Sequence, residues 1–317
     1  MRLDQANEMI GRKVLVKVPA TSANLGPGFD TLGMALSFYD ELEVEATDST
    51  HAVVEVIGEG QGEVPTGDDN LVVKSIAYTF AYFRQPLPGL RLKANNYIPH
   101  GRGMGSSGAA VVAGIMAAKG LLEGFVEMSA TDLLVIATEL EGHPDNVAPA
   151  LFGGLTIAWQ DETGPKHKKL FVHRGVSPLV LVPKNKMSTE LARSLQPESV
   201  PHDDAVFNVS RSALLIAALT QSPELLLAAT EDRLHQNYRA KAMPETDAVI
   251  TTLRAAGHAA VVSGAGPSVL VLASDPAERL AAAKLAAKAF PQWIPLMLAV
   301  DFKGATVTMY RNKDANS

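Results

Sequence analysis

Eleven consecutive residues, Ile98-Pro99-His100-Gly101-Arg102-Gly103-Met104-Gly105-Ser106-Ser107-Gly108, alternate three glycines with other residues and then add two serines. A small apolar run, Ala109-Ala110-Val111-Val112-Ala113-Gly114, follows at once and reads as the first turns of a buried helix. Glycine lets the backbone turn tightly and lets a bulky ligand approach the main chain. A glycine loop opening into a helix aims free N–H groups and the positive end of the helix dipole at one spot, which is a phosphate site. Glycine clusters are more often plain turns. The alternation, the small helix start, and Ser106 and Ser107, placed where a hydroxyl could cap the helix or touch a metal, favour a ligand.

Other phosphate and acyl-transfer motifs fit badly. A Walker A loop carries Lys directly before its final Ser or Thr, and here Gly105 precedes Ser106. Gly103-x-Gly105-x-x-Gly108 matches a dinucleotide fingerprint as a bare pattern, but no acidic residue ends a strand about 20 residues on. The Gly-x-Ser-x-Gly hydrolase elbow is absent.

Two further loops carry polar chemistry. Val18 to Gly33 is dense in Ser, Asn, Gly and Pro, and its Asn24 and Asp30 could hold a small polar ligand. Ser263-Gly264-Ala265-Gly266-Pro267-Ser268 is a second array of backbone donors.

Composition narrows the class. The 317 residues suffice for two ordinary domains, and 47% apolar content supports a substantial core. A formal charge of −6 with no basic run offers nucleic acid no field. The absence of cysteine removes disulfides, thiolate metal sites and cysteine nucleophiles, and fits a reducing cytoplasm. Met1 to Lys13 lacks the apolar centre of a signal peptide, and no apolar stretch is long enough to span a bilayer, so a soluble cytoplasmic protein is expected.

The elements that must position these loops follow from periodicity. Strands are expected at Lys13–Pro19, Glu41–Ala46, Ala52–Ile57, Leu90–Ala94, Gly153–Trp159, Ser177–Val182, Val269–Leu272 and Leu296–Val300. Helices are expected at Asn70–Phe83, after the glycine loop, at Ala130–Glu141, Ala205–Leu219, Ser222–Ala229, Asp247–Ala256 and Pro276–Phe290. Early hairpin-like pairs and the lack of strict alternation favour an α+β fold. The polar stretch Asp161 to Lys169 is the expected boundary, giving domains 1–163 and 164–317.

Together these loops resemble the GHMP family of small-molecule kinases, which groups galactokinase, homoserine kinase, mevalonate kinase and phosphomevalonate kinase. Within it, the chain is similar to the homoserine kinases. The resemblance rests on four blocks in order: Pro19-x-Thr21-Ser22-Ala23-Asn24-Leu25-Gly26-x-Gly28-Phe29-Asp30; Ile98-Pro99-x-x-Arg102-Gly103-x-Gly105-Ser106-Ser107; Glu141-Gly142-His143-Pro144-Asp145-Asn146 with Gly153-Gly154; and the loop Ser263 to Ser268. It implies a two-domain α+β fold, with an N-terminal domain like domain 2 of ribosomal protein S5 and a ferredoxin-like C-terminal domain. It implies that ATP's phosphates lie on Pro99, Gly101, Arg102, Gly103, Met104, Gly105, Ser106, Ser107 and Gly108. Asn70 would face the adenine, and Ser107 and Glu141 would hold Mg²⁺. Asn24, Asp30, His143, Asn146, Arg211, Arg239 and Gly264 would line an L-homoserine pocket in a cytoplasmic homodimer serving threonine biosynthesis. Charge agrees, since Asp30 suits an ammonium and two arginines suit a carboxylate. The position where related kinases place an aspartate base falls on Asn146, which cannot take a proton. Asp30, Asn146 and Glu141 are therefore the expected catalytic residues, with the hydroxyl oriented rather than strongly deprotonated. The rivals are a sister kinase of another alcohol and a non-catalytic sensor. Asp145 is expected to hold its own loop, and His235 to be structural.

Overall fold

The computed structural model describes residues 2–310. A short helix, α1 (Arg2–Met9), precedes a hairpin of two long strands, β1 (Lys13–Ala23) and β2 (Leu32–Thr47), followed by β3 (Ala52–Gly58), α2 (Leu71–Tyr82) and β4 (Gly89–Asn96). The glycine loop leads into α3 (Ser106–Leu121), then α4 (Ala130–Glu141), α5 (Pro144–Phe152) and the hairpin β5 (Leu155–Asp161) and β6 (Gly164–Leu170). Beyond lie β7 (Ser177–Val182), α6 (Thr189–Ser194), α7 (His202–Thr220), α8 (Leu226–Ala229), α9 (Gln236–Ala240) and α10 (Pro244–Ala255). The described residues close with β8 (Ala260–Val262), β9 (Val269–Ala273), α11 (Pro276–Ala289), β10 (Ile294–Met297) and β11 (Thr306–Tyr310).

The first sheet runs β11-β1-β2-β4-β3, with β5 pairing the start of β2 and β6 pairing β5. Only β3–β4 is parallel, joined across α2 as a βαβ unit. The second sheet, β10-β7-β9-β8, is wholly antiparallel. Its central strands are buried on both faces. Leu179 and Leu181 of β7, with Val269 and Val271 of β9, pack on α10, α11 and Trp293. Val180, Val182, Leu270 and Leu272 point the other way, into the core shared with the first sheet. Burial on both faces explains why these strands read as unbroken apolar runs.

Several expectations need correction. β1 does not end at Pro19 but continues to Ala23 through an irregularity at Pro19/Ala20, because Thr21 to Ala23 pair with Ala35 to Gly33 of β2. The polar stretch Asp161 to Lys169 is not a linker. It forms the turn and second strand of the β5–β6 hairpin, so the expected cut at 163/164 falls inside the first sheet. β11 returns from the far end of the chain to pair with β1. Asn70 caps α2, its side chain accepting from the Val72 N–H at 2.9 Å. Ser129 and Asp132 form the capping box of α4.

Candidate active site

Three loops meet at the N-terminus of α3. The glycine loop is anchored at its entry by Asp40, whose Oδ1 accepts from the N–H groups of Tyr97 (2.6 Å) and Ile98 (2.8 Å). Burial pushes the Asp40 carboxyl up to about 6. Gly103 and Gly105 both sit at φ +72°, which favours glycine. A Cβ on Gly103 would overlap the carbonyl of Ser263, and one on Gly105 would overlap Oγ1 of Thr21. These two glycines therefore let the glycine loop interlock with the other two loops. Ser263 Oγ donates to Gly103 O (2.7 Å), and Thr21 N donates to Met104 O (3.1 Å).

The serines do not cap α3. Gly105 occupies the N-cap position without a side-chain bond, so the first N–H groups of the helix keep no side-chain partner. Ser107 instead donates to Oε2 of Glu141 at 2.9 Å, and burial raises the pKa of that carboxyl. Glu141 is the last residue of α4, released by Gly142 in the left-handed region.

Ser106 and Ser107 border two cavities. One, of about 340 Å³, is mostly apolar and is walled by Val54, Val56, Leu71, Val72, Ala110 and Ala113. Asn70 lines it, but both ends of its amide are committed, Oδ1 to the cap and Nδ2 to Pro65 O at 2.7 Å. The other, of about 150 Å³, brings together Asn24, Asp30, Glu141, His143, Asn146, Arg239 and Gly264, together with Gly101, Gly103 and Gly105. Asn24 is spent on shape: Nδ2 donates to Gly264 O (2.8 Å) and Oδ1 accepts from Asp30 N (3.0 Å), fixing a loop where Asn24, Leu25 and Asp30 all have positive φ. Asn146 Oδ1 accepts from Thr21 Oγ1 (3.0 Å). His143 is bonded through Nδ1 to Asp145 (2.5 Å), which raises its pKa, and Asp145 lies buried in the same wall.

One expected pocket residue stands otherwise than predicted. Arg211 lies outside this cavity. Its Nε donates to Glu231 (2.8 Å), its guanidinium stacks 4.2 Å from the Phe207 ring centre, and it lines a separate cavity of about 530 Å³. The arginine that joins Arg239 is Arg193 of α6, which sequence reasoning missed. Its guanidinium grips both oxygens of Asp30, at 3.0 and 3.3 Å. Arg102 turns its side chain away from the loop, to Glu59 (3.3 Å) and the carbonyls of Pro183 and Lys184. Neither Arg102 nor the fully buried Met104 lines either of the two cavities. Pro99 is buried beside Ile98, and Gly108 packs against Asn146 with room for a Cβ.

Residues 70–154 match the family model for the N-terminal domain of GHMP kinases, and residues 213–292 match the C-terminal one. Homoserine kinase of Clavibacter michiganensis is 72% identical over 298 residues, 94% of each chain. That of Leifsonia xyli is 70% identical over 95% of this chain and 93% of its own. The crystal structure of homoserine kinase from Cytophaga hutchinsonii superposes with a TM-score of 0.84 at 27% identity, covering 93% of this chain and 97% of its own. Mevalonate kinase from L. major, at 16% identity and TM-score 0.69 over 92% of this chain and 95% of its own, shares the fold. With those two domains in order, and relatives this similar along nearly its whole length, the chain belongs to the homoserine kinases of the GHMP kinase family.

Proposed function

We propose that the protein transfers the γ-phosphoryl group of ATP to the side-chain hydroxyl of L-homoserine, giving O-phospho-L-homoserine and ADP for threonine biosynthesis. One observation carries this reading. An apolar cavity sized for a base and a small cavity holding Asp30, Arg193 and Arg239 adjoin at the uncapped N-terminus of α3. The first suits adenine, and the helix end between the two suits phosphates. The second holds the opposite charges that an amino acid's ammonium and carboxylate require.

The acceptor oxygen forms its bond to the γ-phosphorus while the bond to ADP breaks, and the hydroxyl proton passes to an oxygen of the transferred group. Asn146 orients the hydroxyl, since an amide takes no proton, and a loose transition state asks for placement more than for a base. The donors present fit Mg²⁺. Ser107 Oγ and the Glu141 carboxylate are hard oxygens 2.9 Å apart beside the helix end, and Mg²⁺ is commonly held by one or two carboxylates plus substrate phosphates. Among the described residues no cluster of three or more His, Cys, Asp or Glu forms a cage, which suits an ion held largely by the nucleotide. When bound, Mg²⁺ neutralises phosphate charge; Glu141 must be deprotonated to hold it.

We assign the protein to the cytoplasm as a homodimer, on the resemblance and the absence of cysteine. No described helix is long and apolar enough to cross a membrane. A coupled ADP-release assay with homoserine, mevalonate, galactose and shikimate tests the reaction. Magnesium-dependent turnover with homoserine alone is expected. Preference for another alcohol, or no turnover at all, would overturn it.

A further inference from the structure

We propose that His235 is a positioning residue for the amino-acid substrate: its ring links the loop carrying Asp30 to the guanidinium of Arg239 and sets which edge of that guanidinium faces the cavity. The inference rests on the homoserine reading above.

Asp232 begins the construction. Its carboxylate accepts from the N–H groups of Leu234, His235 and Gln236 at 3.0, 3.0 and 2.8 Å, fixing the entry to α9. His235 and Arg239 then stand four residues apart on one helix face. The imidazole is fully buried and both its nitrogens are used. Nε2 lies 2.7 Å from the carbonyl oxygen of Gly26. A carbonyl only accepts, so Nε2 carries the proton. Nδ1 is then an acceptor, and Arg239 Nη1 stands 3.3 Å from it.

The ring also stacks on Phe29, with centroids 4.9 Å apart and planes 18° apart. Gly26 and Phe29 belong to the same loop as Asp30, so one ring touches both halves of the charged pocket. Burial lowers the histidine's pKa and keeps it neutral, although the Asp232 carboxylate lies 3.7 Å from Nε2. A second proton would set two donors against each other at Nδ1.

Arg239 is otherwise held by neutral oxygens, Ala192 O from Nε (3.2 Å) and Gly264 O from Nη1 (3.4 Å). Nη2 has no hydrogen-bond partner among the described residues. With Nε and Nη1 pinned inward, Nη2 is the edge left for a carboxylate. A histidine serving packing alone would need none of this directionality.

Two isosteric substitutions separate the roles. His235→Asn keeps an acceptor at the Nδ1 position; His235→Gln keeps a donor at the Nε2 position and loses that acceptor. The expected result is a KM for homoserine raised about tenfold or more in His235→Gln. His235→Asn, which keeps the acceptor for Arg239 but loses the donor to Gly26 O, should show a clearly smaller rise, and kcat and the KM for ATP should change little in either. Equal homoserine KM values in the two variants, or a parallel rise in the KM for ATP, would overturn the proposal. Nitrogen-resolved NMR of the wild-type imidazole tests it without substrate or variant. The Nε2–H tautomer is expected, and an Nδ1–H tautomer rejects the proposal even if neither variant folds. A wild-type enzyme that fails to phosphorylate homoserine would sink the functional reading instead, leaving the tautomer result standing.

Discussion

At the scale of single residues, the proposed recognition of homoserine turns on the ion pair between Asp30 and Arg193. Both side chains are about 40% exposed, so the pair itself adds little to stability. A ligand bearing only an ammonium must take Asp30 from Arg193 and leave a cation behind. A ligand with both charges gives each residue a new partner. We therefore expect Arg193→Ala to lower kcat/KM for homoserine about 10- to 100-fold, the worth of one charge-assisted contact. Discrimination against 3-aminopropan-1-ol, homoserine without its carboxylate, should narrow in the same variant. Arg211→Ala should stay within about twofold of wild type, because its charge is already answered by Glu231. Steady-state kinetics on the two variants decide it, and equal losses would reject the assignment. Asp30 was legible because the motif residues Pro19 to Phe29 lead into it; Arg239, outside the four motif blocks, came only from the resemblance. Arg193 was not legible, since Thr-Glu-Leu-Ala-Arg-Ser reads as any short surface helix. Arg211 misled because it was carried over from the resemblance, while its carboxylate partner, Glu231, lies 20 residues away in the sequence.

At the scale of elements, the end of α3 is built by three loops that interpenetrate. Periodicity was enough to place α2, α4 and α11, and the double-sided burial of β7 and β9 made them easy to see. It failed for β6, whose Gly-Pro-Lys-His-Lys-Lys-Leu has no alternation, and for α5, where Pro149 argues against a helix. The interlock itself leaves no periodic trace, because it depends on which backbone atoms meet. Gly105→Ala tests it against Gly124→Ala. Both positions have positive φ, but nothing lies within 4 Å of a Cβ on Gly124. The control should cost about 1 kcal/mol for backbone conformation alone. Gly105→Ala should cost clearly more, because it also displaces Thr21 and with it the hydroxyl that orients Asn146. Urea denaturation gives the two stabilities and calorimetry the affinity for ADP, which only Gly105→Ala should weaken. Equal costs with equal affinities would mean that the loops tolerate separation.

At the scale of the whole molecule, the two sheets are tied together twice. Chains of this size commonly unfold in stages, one domain at a time. Here a single apolar cluster includes Val16 and Leu92 of the first sheet, Val180 and Leu270 of the second, and Leu215 and Leu219 of α7. The chain's end then returns, and β11 pairs residue by residue with β1 from Lys13↔Tyr310 to Lys17↔Thr306. Val307 packs on Gly120 of α3, behind the helix whose N-terminus faces the proposed phosphate site. Unfolding the second sheet alone would strip one face of that cluster and pull on the edge strand of the first. We therefore expect one calorimetric transition, with calorimetric and van't Hoff enthalpies equal within error, for the intact protein. Ending the chain at Ala305 should lower the midpoint of that whole transition. It should not release a separate early event, because the lost strand supports β1, and β1 carries the loop that ends in Asp30. Two resolved transitions in the intact protein would show that the shared core does not couple the sheets.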